Sequence, residues 1–145
     1  MKRDKYGAPE LLGAFSKLIF LAIIAAFLLF LVSYYMRVVN SSNREMARNF
    51  VNVFIPTALD YYREDVGDYP APFHGLEALW IQPYGVDNWN GPYILPLPLK
   101  DPWGREYQYV YPGVNNPHSY DLWSTGRRLE SDSDDIKNWN PRSAK

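Results

Sequence analysis

Between Leu18 and Met36 the chain reads LIFLAIIAAFLLFLVSYYM, nineteen residues in which Ser33 is the one clearly polar member. As a helix rising about 1.5 Å per residue, the run is about 28 Å long, close to the hydrocarbon thickness of a bilayer. A helix that is apolar all round needs cover on every face, and the roughly one hundred residues that follow are too few to build an interior around it. A membrane supplies that cover. The run is longer than the apolar core of a secretory signal and closes on Ser33-Tyr34-Tyr35-Met36 rather than on the small residues of a cleavage site, so it reads as a retained anchor. Tyr34 and Tyr35 suit an interfacial aromatic belt.

The flanking charges set an orientation. Lys2, Arg3, Lys5 and Lys17 precede the run and Arg37, Arg44 and Arg48 follow it, an excess that favours a cytoplasmic amino terminus. The expected organisation is a cytoplasmic segment over 1–17, a transmembrane helix over 18–36, and a head over 37–145. In a diderm bacterium that means a single pass through the inner membrane with the carboxy-terminal domain in the periplasm. Fifteen basic and sixteen acidic residues leave the chain near neutrality, without the basic footprint of a nucleic-acid binder. The absence of cysteine excludes disulfides, thiolate metal sites and cysteine nucleophiles together.

Beyond the anchor, Asn40-Ser41-Ser42-Asn43 weakens a helix, and Ser42 and Glu45 have the spacing of a capping box, which predicts a break or bend near Ser42 and a restart. Met46, Phe50, Val53, Phe54, Ala58 and Tyr61 recur at three- and four-residue steps and mark the apolar face of a helix over about 43–64. Pro56 lies within it and predicts a kink near residues 52–56. A short helix is expected around Gly75 to Trp80. Turn formers fill 83–92, and Pro96, Pro98 and Pro102 keep the next stretch out of regular central strands. Tyr107, Tyr109 and Tyr111 alternate with Gln108 and Val110, and Ser119 to Ser124 supplies a second strand, which predicts an antiparallel hairpin. Asp101-Pro102-Trp103-Gly104 reads as a turn. The fold class is α+β: a long amino-terminal helix packed on a small antiparallel β head over about 91–140.

Several short motifs occur in one order: Ala58-Leu59-Asp60-Tyr61-Tyr62, Asp68-Tyr69-Pro70, Gly75-Leu76-Glu77-Ala78-Leu79, Gly91-Pro92-Tyr93-Ile94, Asp101-Pro102-Trp103-Gly104, Tyr107-Gln108-Tyr109, Asp121-Leu122-Trp123-Ser124, and Asp134-Asp135-Ile136-Lys137-Asn138-Trp139. In these the chain resembles the major pseudopilins of the type II secretion system, over about Asn43 to Asn140. The resemblance implies a type IV pilin-like fold and a structural subunit that helps export proteins across the outer membrane. It also implies partners: other pseudopilin-like subunits and an inner-membrane secretion platform, in a homo- or hetero-oligomer. In that family a peptidase site with a glutamate five residues into the mature chain precedes the apolar run. Here Gly13-Ala14-Phe15-Ser16-Lys17-Leu18 stands there, which points to an uncleaved anchor. The alternative function is therefore a permanently anchored, non-polymerising periplasmic adaptor.

The resemblance further implies calcium in a carboxy-terminal loop. Its aspartate pair maps onto Asp134 and Asp135, while the earlier aspartate falls at Arg128, leaving Glu130 and Asp132 as nearby substitutes. A hard cation with six to eight oxygen ligands would use such carboxylates. In the alternative the loop is solvated and Arg127 and Arg128 provide its counter-charge. Enzyme signatures are missing: no nucleophile elbow, phosphate-binding glycine loop or His-Glu-x-x-His helix occurs. His74 and His118 have no metal-ligand spacing, and Asp60, Glu64, Asp65 and Asp68 fit a wet helix end. No catalytic residue is expected. Trp80, Trp103, Trp123 and Trp139 read as packing residues, with Trp89, between Asn88 and Asn90, the best candidate for an exposed contact.

Overall fold

The computed structural model describes residues 8–95 and 100–139, so the expected loop prolines Pro96 and Pro98 and the first seven residues lie outside it. The chain divides between Ser41 and Ser42 into two compact units. Helix α1 spans Ala8–Asn49, a π-helical turn follows at Phe50–Phe54, and α2 spans Ile55–Val66. The break expected near Ser42 does not occur. Ser41 Oγ donates to the Val38 carbonyl at 2.8 Å, so this hydroxyl is satisfied inside the helix and offers the backbone no competing turn.

Pro56 disturbs the helix where the sequence predicts, but through a wide turn. Proline lacks an N–H and crowds the carbonyl one turn back. The Ile55 N–H donates to the Phe50 carbonyl five residues earlier, which opens the turn by one residue and places Pro56 in the first turn of α2. Side chains help here: Thr57 Oγ1 donates to Val53 O at 2.7 Å and Asn52 Nδ2 to Arg48 O at 3.0 Å. Gly67, at φ 98°, ends α2 and donates to Arg63 O at 2.8 Å.

The inward face of this helix differs from the expected one. Ala47, Val51, Ile55, Ala58, Leu59 and Tyr62 are buried, whereas Met46, Val53, Phe54 and Tyr61 are each about half exposed. Of the expected set only Phe50 and Ala58 pack on the core. Two apolar series with helical spacing run side by side, one beginning at Met46 and one at Ala47. The inward one begins at Ala47 and shares Ala58 with the expected one.

Against this stripe lie Leu76, Ala78 and Leu79 from a 3-10 helix at Gly75–Leu79, and Tyr107, Tyr120, Leu122 and Ile136 from the sheet region. The sheet is antiparallel in the order β1 (Gln108–Val110), β2 (Asp121–Ser124), β3 (Ile136–Lys137). Tyr109 faces Leu122 across the expected hairpin, and Ser124 faces Ile136 across the added third strand. Burial pushes the Tyr107, Tyr109 and Tyr120 phenols above their ordinary value, with nearby anions or phenols adding to it.

Leu59→Ala is expected to destabilise the head by about 2 to 5 kcal/mol in a denaturant titration, because Leu59 is fully buried. Phe54→Ala, on the outer side, should cost less than about 1 kcal/mol. The tyrosines predict an alkaline transition. The folded state holds their protons more tightly than the unfolded chain, so their contribution is intact below the unfolded value of about 10 and is lost as pH rises through the folded values. Absorbance at the phenolate band should show late titration coincident with unfolding. Tyr107→Phe removes a buried hydroxyl without a partner, so it should leave stability at neutral pH equal or higher and delay the alkaline transition.

Candidate functional site

Two features stand apart from the core: the apolar part of α1 and the loop that leads from β2 to β3. In the first unit one helix is long and apolar enough to cross a membrane, and its apolar window has no buried residue. Leu18, Phe20, Phe27, Phe30 and Val32 are all more than half exposed. Such a surface is incompatible with water on all sides and calls for lipid or other helices.

In the second unit the β2–β3 loop is organised by a carboxylate. Asp134 ends a 3-10 turn at Asp132–Asp134 and is buried, and its Oδ2 accepts the N–H groups of Arg127 and Arg128, each at 3.0 Å. The Arg128 guanidinium stands over the same oxygen, Nε to Oδ2 3.8 Å, and Nη2 donates to Ser133 Oγ at 3.1 Å. Gly126, at φ 64°, lies so close to the Asp134 carbonyl that no Cβ fits. Asp135 points elsewhere and pairs with Lys137, Nζ to Oδ2 3.1 Å. Glu130 and Asp132 are exposed.

The four carboxylates with calcium-like spacing thus stand in three settings. Among the described residues no group of three or more His, Cys, Asp or Glu side chains is placed to hold a metal ion. Asp134 Oδ1 is buried without a partner, but a single oxygen is far from the six to eight that calcium takes.

Two further buried aspartates, which the sequence shows only as members of its motifs, do similar work. Asp101 accepts the N–H groups of Trp103 and Arg105 and the Ser124 hydroxyl at 2.7 Å, which fixes the expected Asp-Pro-Trp-Gly turn to β2. Asp121 accepts the backbone N–H groups of Asn115 and Asn116 and so shapes the loop before β2. Asn138 Nδ2 donates to Tyr120 O while its Oδ1 accepts Leu122 N–H, which ties the chain after β3 to β2. The signal for these roles was local: aspartate or asparagine beside turn residues.

Trp89 is not an exposed contact. It is half-buried, its Nε1 donates to Ala78 O at 2.7 Å, and its ring meets Tyr93 edge-on at 5.6 Å. An indole N–H tends to draw the ring inward wherever a carbonyl is within reach. Trp123 and Trp139 pack edge to face at 5.7 Å. Asp60 and Asp68 accept hydrogen bonds from the Tyr69 and Tyr111 hydroxyls, respectively, at the exposed end of α2. His118 is exposed, and His74 lines an open cleft with Glu77, Lys100 and Glu106.

A family model described as "Type II secretion system (T2SS), protein G" matches residues 34–139. The type II secretion system core protein G of Pseudomonas aeruginosa is 45% identical over 91 residues, covering 59% of this chain and 63% of that protein. The Vibrio cholerae protein of the same description is 39% identical over 95 residues, covering 61% of this chain and 63% of its own. The chain therefore spans a little less than two thirds of these relatives. In three dimensions it is similar to the crystal structure of the major pseudopilin from the type 2 secretion system of enterohaemorrhagic Escherichia coli. The TM-score is 0.56 at 33% identity, over 69% of this chain and 85% of that one.

The loop geometry predicts unequal effects of its acids. Asp134→Ala leaves the N–H groups of Arg127 and Arg128 without their acceptor and should cost about 1 to 3 kcal/mol. Asp132→Ala and Glu130→Ala, at exposed positions, should stay within about 0.5 kcal/mol of the parent. Thermal unfolding of the three variants side by side checks this.

Proposed function

The chain belongs to the type II secretion system protein G family of major pseudopilins, structural rather than enzymatic proteins, and from that premise we propose that it is a structural subunit of a type II secretion assembly that helps export proteins across the outer membrane. Leu18 to Met36 anchors the subunit in the inner membrane as a single pass, with residues 37–145 in the periplasm and 1–17 in the cytoplasm. Its partners are other pseudopilin-like subunits and the inner-membrane platform of the secretion machinery.

The observation that carries this reading is the unspent apolar surface of the helix. Met46, Val53, Phe54 and Tyr61 lie half exposed on the head segment, outside the stripe that the core uses. The apolar window of α1 is likewise uncovered. Helices that keep an apolar surface after packing their own domain are suited to pack on further helices. The second reading is an adaptor that remains anchored and does not polymerise. What favours it is that Leu18 or Ile19 stands where the family's processing site would place a glutamate, with Lys17 the only nearby charge.

Calcium is the cofactor that the resemblance implies, and Asp134, Asp135, Asp132 and Glu130 are the residues that would hold it. With Arg128 over the first, Lys137 on the second, and the other two exposed, we read this donor set as a poor fit to the ion.

The chain has no cysteine, so Val53→Cys introduces a single reporter. In native membranes it should give an oxidised dimer if subunits pack through this surface, and Phe54→Asp in the same background should abolish it while the head stays folded. Secretion should fall in parallel. Absence of the cross-link, together with an intact Met1 by mass spectrometry, favours the adaptor.

A further inference from the structure

We propose that the loop from Gly126 to Lys137 is closed by cations of the chain itself, Arg128 on Asp134 and Lys137 on Asp135, in place of a bound divalent ion. The two aspartates that the resemblance would give to calcium each hold a basic partner already. Arg128 serves Asp134 twice: its backbone N–H donates to Oδ2 at 3.0 Å and its Nε stands 3.8 Å from the same oxygen. Its Nη2 reaches Ser133 Oγ at 3.1 Å, and Ser131 Oγ donates to that hydroxyl at 2.8 Å, so one guanidinium spans the acidic turn. Lys137 lies 3.1 Å from Asp135 and 5.7 Å from the centre of the Trp139 ring, which holds the ammonium from a second side.

Charge and ligand chemistry agree. Two carboxylates adjacent in sequence repel unless about two positive charges are near, and a divalent ion drawing both together or one basic side chain on each satisfies that. The solutions exclude each other. A guanidinium is always protonated and has donors but no acceptor, so the Arg128 side chain contributes no ligand oxygen and opposes a second cation beside Asp134. Arg128 stands where the resemblance expects an aspartate, so this one position exchanges a ligand for a counter-ion. The consequence is a loop ordered at any calcium concentration and weakened by salt, which screens its ion pairs.

The test uses the full chain in detergent micelles. Equilibrium dialysis against radiolabelled calcium at about 1 mM, a concentration that fills extracellular calcium modules, should leave the protein without bound ion. Thermal unfolding followed by tryptophan fluorescence should give the same midpoint in calcium and in chelator. Arg128→Met should lower the midpoint by about 2 to 5 °C at low salt, with a smaller difference at high salt. Arg128→Asp should bind calcium and lose stability on chelation. Stoichiometric calcium binding by the parent chain, a parent midpoint that falls on chelation, or an Arg128→Met midpoint equal to the parent's at low salt would each overturn the proposal. None of these outcomes depends on whether subunits pack through Val53 and Phe54, so the assembly reading stands or falls separately.

Discussion

The head depends on one contact, the burial of Ala47, Val51, Ile55, Ala58, Leu59 and Tyr62 against the sheet and the 75–79 turn. Strands of three, four and two residues have too little apolar surface to enclose a core by themselves. The helix supplies the missing wall. This places a demand on the Pro56 region, because a proline that broke the helix would remove half of the stripe. The π-helical turn at Phe50–Phe54 answers it by widening one turn, so Val51 within it and Ile55 just after it both remain inward.

Ladder hydrogen bonds are few in such a head, and its loops find their partners elsewhere. Asp101, Asp121 and Asp134 are buried, and each accepts two backbone N–H groups from loop residues nearby in the chain. A charged acceptor bonds backbone donors more strongly than a neutral one, and it avoids the cost of leaving them unpaired. The aromatics close the remaining gaps: Phe50 stacks on Tyr107, and Tyr69 meets Tyr111 and Tyr120 edge-on.

The proposed function follows from what this packing leaves over. A helix that used its whole apolar surface for its own domain would have nothing to offer another subunit, and here both the membrane run and the outer side of the head segment keep theirs. The β2–β3 loop shows the opposite economy. Its buried Asp134 and neighbouring Asp135 are met by Arg128 and Lys137, so the surface it presents is shaped from within the chain.

The sequence by itself determined the long apolar helix, the disturbance at Pro56, the Tyr107 to Ser124 hairpin and the α+β class, because these rest on local periodicity and on proline's missing donor. The family likeness was legible for the same reason, as motifs in order. Tertiary structure alone decided the rest. Period cannot choose between the series starting at Met46 and at Ala47, since both are apolar and share Ala58; contact with the 75–79 turn and the sheet chooses the one through Val51, Ile55, Leu59 and Tyr62. The helix runs on through Ser42, and the neighbouring Ser41 hydroxyl bonds within it, to the Val38 carbonyl. Trp89 turned inward because Ala78 brings a carbonyl to its indole N–H, a contact eleven residues away. The acidic run 130–135 looks uniform as text, yet the fold sorts it into a buried cap, an ion pair and two exposed carboxylates, because burial is tolerated only where N–H groups and cations converge.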